Sequence, residues 1–289
     1  MNRLIIVISL LLSVQTSAQI RIWDGTSHKE EDVVLNEYKT AGQAKGSIII
    51  CPGGSYFWHD MKGEGSKVAE WLSSEGYNAY VLKYRVAGTF DFITRFRRVA
   101  RGSRFPDMIC DLQRSIQVIR DRNGDQYIGV MGFSAGGHLA LMSAAFGETD
   151  YVTGCGVDSG SMSLKPDFIA AIYPVVTMSN NNYVHKRSRR GLLGEDAAGN
   201  QALQDSLSME KHVTPAMPPV FLLNCEDDPT VDWHNSVILD SALTAERVPH
   251  KYLRFKSGGH GFGADRKKYT AETGGWQKEF IKWLNDYGY

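Results

Sequence analysis

Gly132-Phe133-Ser134-Ala135-Gly136 sets a serine between two glycines, each two positions away. A serine hydroxyl is a weak nucleophile at neutral pH. To attack a carbonyl it needs a base, a group that orients the base, and donors for the developing oxyanion. The pattern G-x-S-x-G serves that chemistry where a strand enters it and a helix leaves it, because the turn then holds the hydroxyl out. Here the apolar run Tyr127–Met131 leads in and a run of good helix formers, His138–Phe146, leads out. A Cβ two residues either side of the serine would strike the neighbouring strand or helix, so glycine is required at both places.

In a strand–turn–helix setting of this kind the partners follow in the order serine, acid, histidine. The acid belongs just past a strand end. Pro219–Asn224 reads as that strand, and Cys225-Glu226-Asp227-Asp228-Pro229 as its turn. Asp228 is the candidate, with Asp227 as runner-up. Of the downstream histidines, His185 and His212 precede the acid, His234 follows it too closely, and His250 begins a strand. His260 lies in Gly258-Gly259-His260-Gly261-Phe262, straight after the strand Lys251–Phe255. Glycines on both sides permit a tight loop that carries an imidazole across strand ends, so His260 is the candidate base.

An oxyanion needs two backbone N–H donors. Ala135, the residue after the serine, supplies one. The other is expected from Gly54 or Ser55, where the strand Gly46–Cys51 runs into Pro52-Gly53-Gly54-Ser55-Tyr56. Tyr56, Phe57 and Trp58 follow directly. Tyr56 and Trp58 are candidates for stacking on a sugar face, with burial in the core as the competing reading.

The elements that must position these residues alternate. Strands are expected over Gly46–Cys51, Asn78–Tyr84, Tyr127–Met131, Phe168–Tyr173, Pro219–Asn224 and Lys251–Phe255. Helices are expected over Lys67–Ser74, Asp107–Arg120, Val237–Ala245 and Trp276–Tyr287. Alternation of this sort implies an α/β fold, a mostly parallel sheet with helices on both faces. Two segments interrupt it. Val86–Arg104 carries Arg95, Arg97, Arg98, Arg101 and Arg104, and Ser179–Pro215 is long and polar. An arginine run is ordinarily a solvated face; the alternative is recognition of a carboxylate such as a uronic acid.

Met1-Asn2-Arg3, a short apolar stretch and the small-residue exit at Thr16-Ser17-Ala18 describe a cleavable export signal over residues 1–18. The stretch is too short to span a bilayer. One domain is expected over 19–289, exported to the periplasm or beyond. Lys+Arg and Asp+Glu both total 32, which gives no overall field for nucleic acid or anionic membrane. The four cysteines show no metal-binding spacing and read as free thiols. The chemistry calls for no metal and no cofactor.

Pro52–Tyr56, Lys62-Gly63-Glu64-Gly65, Val81–Arg85, Gly132–His138, Glu226–Asp228 and Gly258–Gly263 fall in an order that resembles α/β-hydrolase esterases of the acetylxylan esterase type. The segment Tyr183–Gly194 looks like an insert of that subfamily. The resemblance runs from about residue 45 to 285. It implies the α/β-hydrolase fold and a Ser134–His260–Asp228 triad, with Gly54 and Ala135 at the oxyanion. It also implies an acetylated carbohydrate, such as acetylated xylan, as substrate. Asp232 and His234 depart from the subfamily pattern near the acid. The rival classes are a serine peptidase of the prolyl-oligopeptidase kind, a lipase or general carboxylesterase, and a non-catalytic binding protein on the same fold.

Overall fold

Ser47–Cys51 is buried at every residue, as an apolar strand covered on both faces must be. This strand, β3, lies inside an eight-stranded sheet. The others are β1 (Ala18–Arg21), β2 (Val34–Tyr38), β4 (Asn78–Lys83), β5 (Ile128–Phe133), β6 (Phe168–Ile172), β7 (Val220–Cys225) and β8 (His250–Phe255). Their spatial order is β1-β2-β4-β3-β5-β6-β7-β8. From β4 to β8 all pairings are parallel, and β2 joins β4 and β1 antiparallel. The computed structural model describes residues 18–28, 30–93, 102–124, 126–195 and 199–289. The export signal therefore lies, Ala18 apart, outside the described residues, as do Arg95, Arg97, Arg98 and Arg101.

Side chains alternate across the sheet into two cores. Ile49 and Cys51 join one, together with α3 (Asp107–Asn123), α4 (Ala135–Ala145) and α7 (His234–Ala245). Ile48 and Ile50 join the other, with α1 (Lys67–Ser74) and α8 (Trp276–Tyr287). The helical stripe Ile109, Leu112, Ile116 and Ile119 is fully buried, as its spacing requires. Trp276, Phe280, Trp283 and Leu284 seal α8 onto its face, each burial stabilising by roughly 2 kcal/mol.

Several elements have no counterpart in the sequence expectations. Strands β1 and β2 are anchored from outside. Trp23 Nε1 donates to Asp111 on α3 at 3.0 Å, and the Arg85 guanidinium pairs with the same carboxylate at 2.9 Å. Burial pushes the Asp111 carboxyl up, and Arg85 opposes that by pairing with it. The segment Ser179–Pro215 is largely folded, with α5 (Lys186–Leu193) and α6 (Gln201–Ser206), and α2 (Gly88–Ile93) precedes the undescribed arginines.

The expectation of four free thiols is corrected. Cys110 and Cys155 are joined as a disulfide, while Cys51 and Cys225 are free and buried. Cys110 lies on α3 and Cys155 in the turn beyond α4. The packing of α3 beside α4 brings them together, which a separation of 45 residues conceals.

Candidate active site

Every candidate residue sits at the carboxyl end of a parallel strand. Strand β5 delivers Ser134 with φ 54° and ψ −118°, a conformation that L-residues rarely adopt. The turn is held from two sides. Ser134 N–H donates to the Ile172 carbonyl at 3.0 Å, and the Ser134 carbonyl accepts from Val175 at 3.1 Å. Added Cβ atoms at Gly132 and Gly136 would overlap the carbonyl oxygens of Gly136 and Cys51. Both glycines are thus needed for close approach.

His260 bridges the other two groups. Its Nε2 lies 2.9 Å from Ser134 Oγ and its Nδ1 2.6 Å from Asp228 Oδ2. The Asp228 side chain is 1% exposed, and its Oδ1 accepts from Thr230 and Val231 N–H at 2.8 and 3.0 Å. The carboxylate is thus held by partners other than the imidazole. Asp227 faces elsewhere: its oxygens accept from Gly258 and Gly259 N–H at 3.2 and 2.8 Å, tying down the loop that carries His260. Neighbouring aspartates therefore divide between orienting the ring and anchoring its backbone.

His234 pairs with Asp232 at 2.7 Å and stacks against Trp233 and Tyr183. His250 pairs with Asp240 on α7 at 3.0 Å, and His212 packs on Phe146. His185 immediately precedes α5, its Nδ1 2.8 Å from Ser188 Oγ, and burial lowers its pKa to about 4.

Beyond β3 the backbone turns through Gly54, Ser55 and Tyr56 at φ of 145°, 58° and 62°. The Gly53 N–H is already committed to Glu64 Oε2 at 2.7 Å. Gly54 and Ser55 follow it on the wall of a cavity of about 250 Å³ over Ser134. Ala135 begins α4, so its N–H has no acceptor within the helix.

The aromatic trio separates. Tyr56 is corrected as a substrate contact: it is wholly buried, its hydroxyl 2.8 Å from His138 Nδ1. His138 Nε2 lies 2.8 Å from the Leu207 carbonyl, and burial lowers this imidazole to about 4. The tight turn swings Tyr56 inward, and Phe57 is buried as well. Trp58 stays exposed and lines the cavity.

Three groups had no role in the sequence expectations: Glu64 and Arg187, which line the cavity, and Tyr173, buried behind Glu64. Glu64 is buried, and burial pushes its carboxyl up. Its Oε1 accepts from the Tyr173 hydroxyl at 2.9 Å, and that hydroxyl accepts from Gly263 N–H at 2.9 Å. Glu64 and Tyr173 thus join the loop after β3 to the loop bearing His260. The signal was the glycines flanking Glu64 in Lys62–Gly65. Tyr173, at φ 37°, gave none. Arg187, from α5, reaches in from the insert, its Nε 3.0 Å from Ser55 Oγ. A Cβ at Gly191 would overlap the Ser55 carbonyl, so glycine lets α5 pack against this turn.

The chain belongs to the BD-FAE family, whose model matches residues 32–243. It is 28% identical over 235 residues to the endo-1,4-beta-xylanase B of Butyrivibrio fibrisolvens, a match covering 79% of this chain and 34% of that protein. It is 24% identical over 293 residues to the acetylxylan esterase of Xylanibacter ruminicola, covering 98% of this chain and 52% of that one. It spans about a third and about half of these two curated relatives. Among solved structures, it is similar to the acetyl ester-xyloside bifunctional hydrolase from Caldicellulosiruptor lactoaceticus. The TM-score is 0.78 at 27% identity, over 96% of this chain and 98% of the other. The fold is that of the α/β-hydrolases, as the sequence reading expects. Among the described residues no helix is long and apolar enough to cross a membrane.

Proposed function

We propose that this chain is a serine carboxylic-ester hydrolase that removes acetyl groups from carbohydrate. Ser134 is the nucleophile, His260 the general base and acid, and Asp228 the group that orients the imidazole. The observation that carries the reading is the ring of His260, whose two nitrogens lie within hydrogen-bond reach of Ser134 Oγ and Asp228 Oδ2. Ser134 Oγ attacks the ester carbonyl while His260 Nε2 takes its proton. The oxyanion accepts from Ala135 N–H and from Gly54 or Ser55 N–H. His260 returns the proton to the departing sugar oxygen, leaving an acetyl-serine. Water, deprotonated by the same imidazole, then releases acetate and restores the serine.

The acetyl group and the carbohydrate rest on the acetylxylan esterase and acetyl ester-xyloside hydrolase relatives. The strands that present the candidate residues lie in one continuous sheet, consistent with a single esterase domain over 19–289. The pattern of residues 1–18 supports removal on export, which amino-terminal sequencing of the secreted protein tests.

The test is acetate release from acetylated xylan and from an aryl acetate, wild type against Ser134→Ala, with a chromogenic dipeptide substrate alongside. Release from both acetates that vanishes in the variant is the expected result. Cleavage of the dipeptide with neither acetate turned over would move the chain to the peptidase class.

A further inference from the structure

The cavity over Ser134 does not end at the reacting groups. It shares Asp60 and Lys268 with a second depression of about 330 Å³, lined also by Lys62, Lys67, Asp265 and Lys267. Arg187 stands on the wall of the first cavity. Its Nε is spent on Ser55 Oγ, and its guanidinium lies 5.6 Å from the centre of the Trp58 ring. Among the described residues no carboxylate forms an ion pair with it. The other arginines of the same helix are occupied: Arg189 donates to the Met178 carbonyl, and Arg190 to the Phe92 carbonyl. Arg187 therefore presents an uncompensated planar cation beside the ester site. Such a fork matches a carboxylate in both geometry and charge.

The charge of the adjoining depression has the same sign. Lys67 is paired with Asp265 at 2.8 Å, while Lys62 and Lys267 are exposed and form no ion pair among the described residues. Lys268 Nζ donates to the Gly261 carbonyl at 2.7 Å, and its charge, with that of Lys67, acts on Asp265. Against these cations stand Asp60, which accepts from Gly63 N–H, and Glu64, buried and fully engaged. A neutral protein thus concentrates cations along one path leading away from Ser134.

We propose that the ester is carried by an acidic carbohydrate. A uronate carboxylate close to the acylated sugar pairs with Arg187, and the anionic chain beyond it lies along the lysine-lined depression. The ester part of this inference rests on the esterase reading; the acidic-sugar part does not, and binding tests it separately. The probes are a galacturonate tetramer and the same tetramer with its carboxyls methylated, titrated calorimetrically into the full chain carrying Ser134→Ala. The acidic tetramer should bind about tenfold more tightly at low salt, and the preference should shrink as salt is raised past about 0.1 M. Adding Arg187→Gln should collapse the preference towards unity, and Arg187→Lys should restore part of it. Replacing Lys62 and Lys267 together by Gln should flatten the salt dependence. Equal affinity for the two tetramers, or a preference that survives Arg187→Gln, overturns the inference. Aryl acetate turnover by the wild type reports on the esterase reading alone. Its failure would leave the binding result standing, and its success beside equal affinities would leave an esterase without acidic specificity.

Discussion

Glu64 and Arg187 line the same cavity in opposite surroundings. Glu64 is buried, and both its oxygens are engaged by groups that are themselves fixed, Gly53 and Tyr173. Arg187 is exposed and held by one hydroxyl and one ring. The same division separates Asp228, locked by two backbone donors, from Lys62 and Lys267 on the rim. The inner wall holds groups whose relative positions must not change during a reaction. The rim holds groups that meet variable parts of a substrate, where loose tethering costs little. Chemistry and selectivity are thus built on different amounts of supporting structure.

The sharpest way to break that comparison is at the nucleophile. Ser134→Ala should lower kcat on an aryl acetate by about three or more orders of magnitude, because binding and the oxyanion donors alone remain. Retention of near wild-type turnover would remove Ser134 from the mechanism. Next come the adjacent aspartates. Asp228→Asn should cost about two to four orders of magnitude, since the amide favours the wrong imidazole tautomer. Asp227→Asn should cost less than about tenfold, because it disturbs only the backbone beneath His260. Kinetics giving the reverse ranking would exchange their roles.

Glu64→Gln sharpens the comparison further. One amide oxygen cannot serve both Gly53 N–H and the Tyr173 hydroxyl. Loss of about 2 kcal/mol in urea unfolding is expected, with kcat falling about tenfold and KM little changed. An unchanged kcat would leave Glu64 as packing.

The interior also sets an acid limit. His138 is held at about 4 by burial, below the ordinary imidazole value of about 6.5. As pH falls the unfolded chain takes up this proton first, so stability is lost between about 6.5 and 4, by roughly 3 kcal/mol. His59 and His185 are lowered to about 4 as well and act in the same direction. Denaturant unfolding at pH 7 and 4.5 measures the loss, and His138→Gln should reduce it. The smallest effect belongs to the rim: Lys62→Gln and Lys267→Gln should each leave unfolding within about 0.5 kcal/mol of wild type.

What the sequence made legible follows the same division. Helices α1 and α8 have the residue bounds that their apolar spacing requires, and β3 to β7 fall on apolar runs. Ser134, Asp228 and His260 could be picked out because strand ends, chain order and flanking glycines restrict the choice, and their side chains come together. Tyr56 misled because its direction depends on positive φ at Ser55 and at Tyr56 itself, which neither residue type announces. Strands β1 and β2 were missed because Trp23, Asp111 and Arg85, distant in sequence, hold that segment down. The disulfide was missed for a related reason, since only the packing of α3 beside α4 brings its partners close. Arg187 was hidden in a basic segment where its neighbours Arg189 and Arg190 bind carbonyls. Composition cannot tell a spent cation from an idle one.

The backbone at Ser134 has one more consequence. At φ 54° and ψ −118°, any Cβ is a burden and glycine would sit more comfortably. Ser134→Gly should therefore be more stable to denaturant than Ser134→Ala, by about 1 kcal/mol, and both should lack esterase activity. A chain selected only to persist would discard the side chain at this position. Persistence and reactivity pull in opposite directions at this one residue, and the surrounding cores carry the difference.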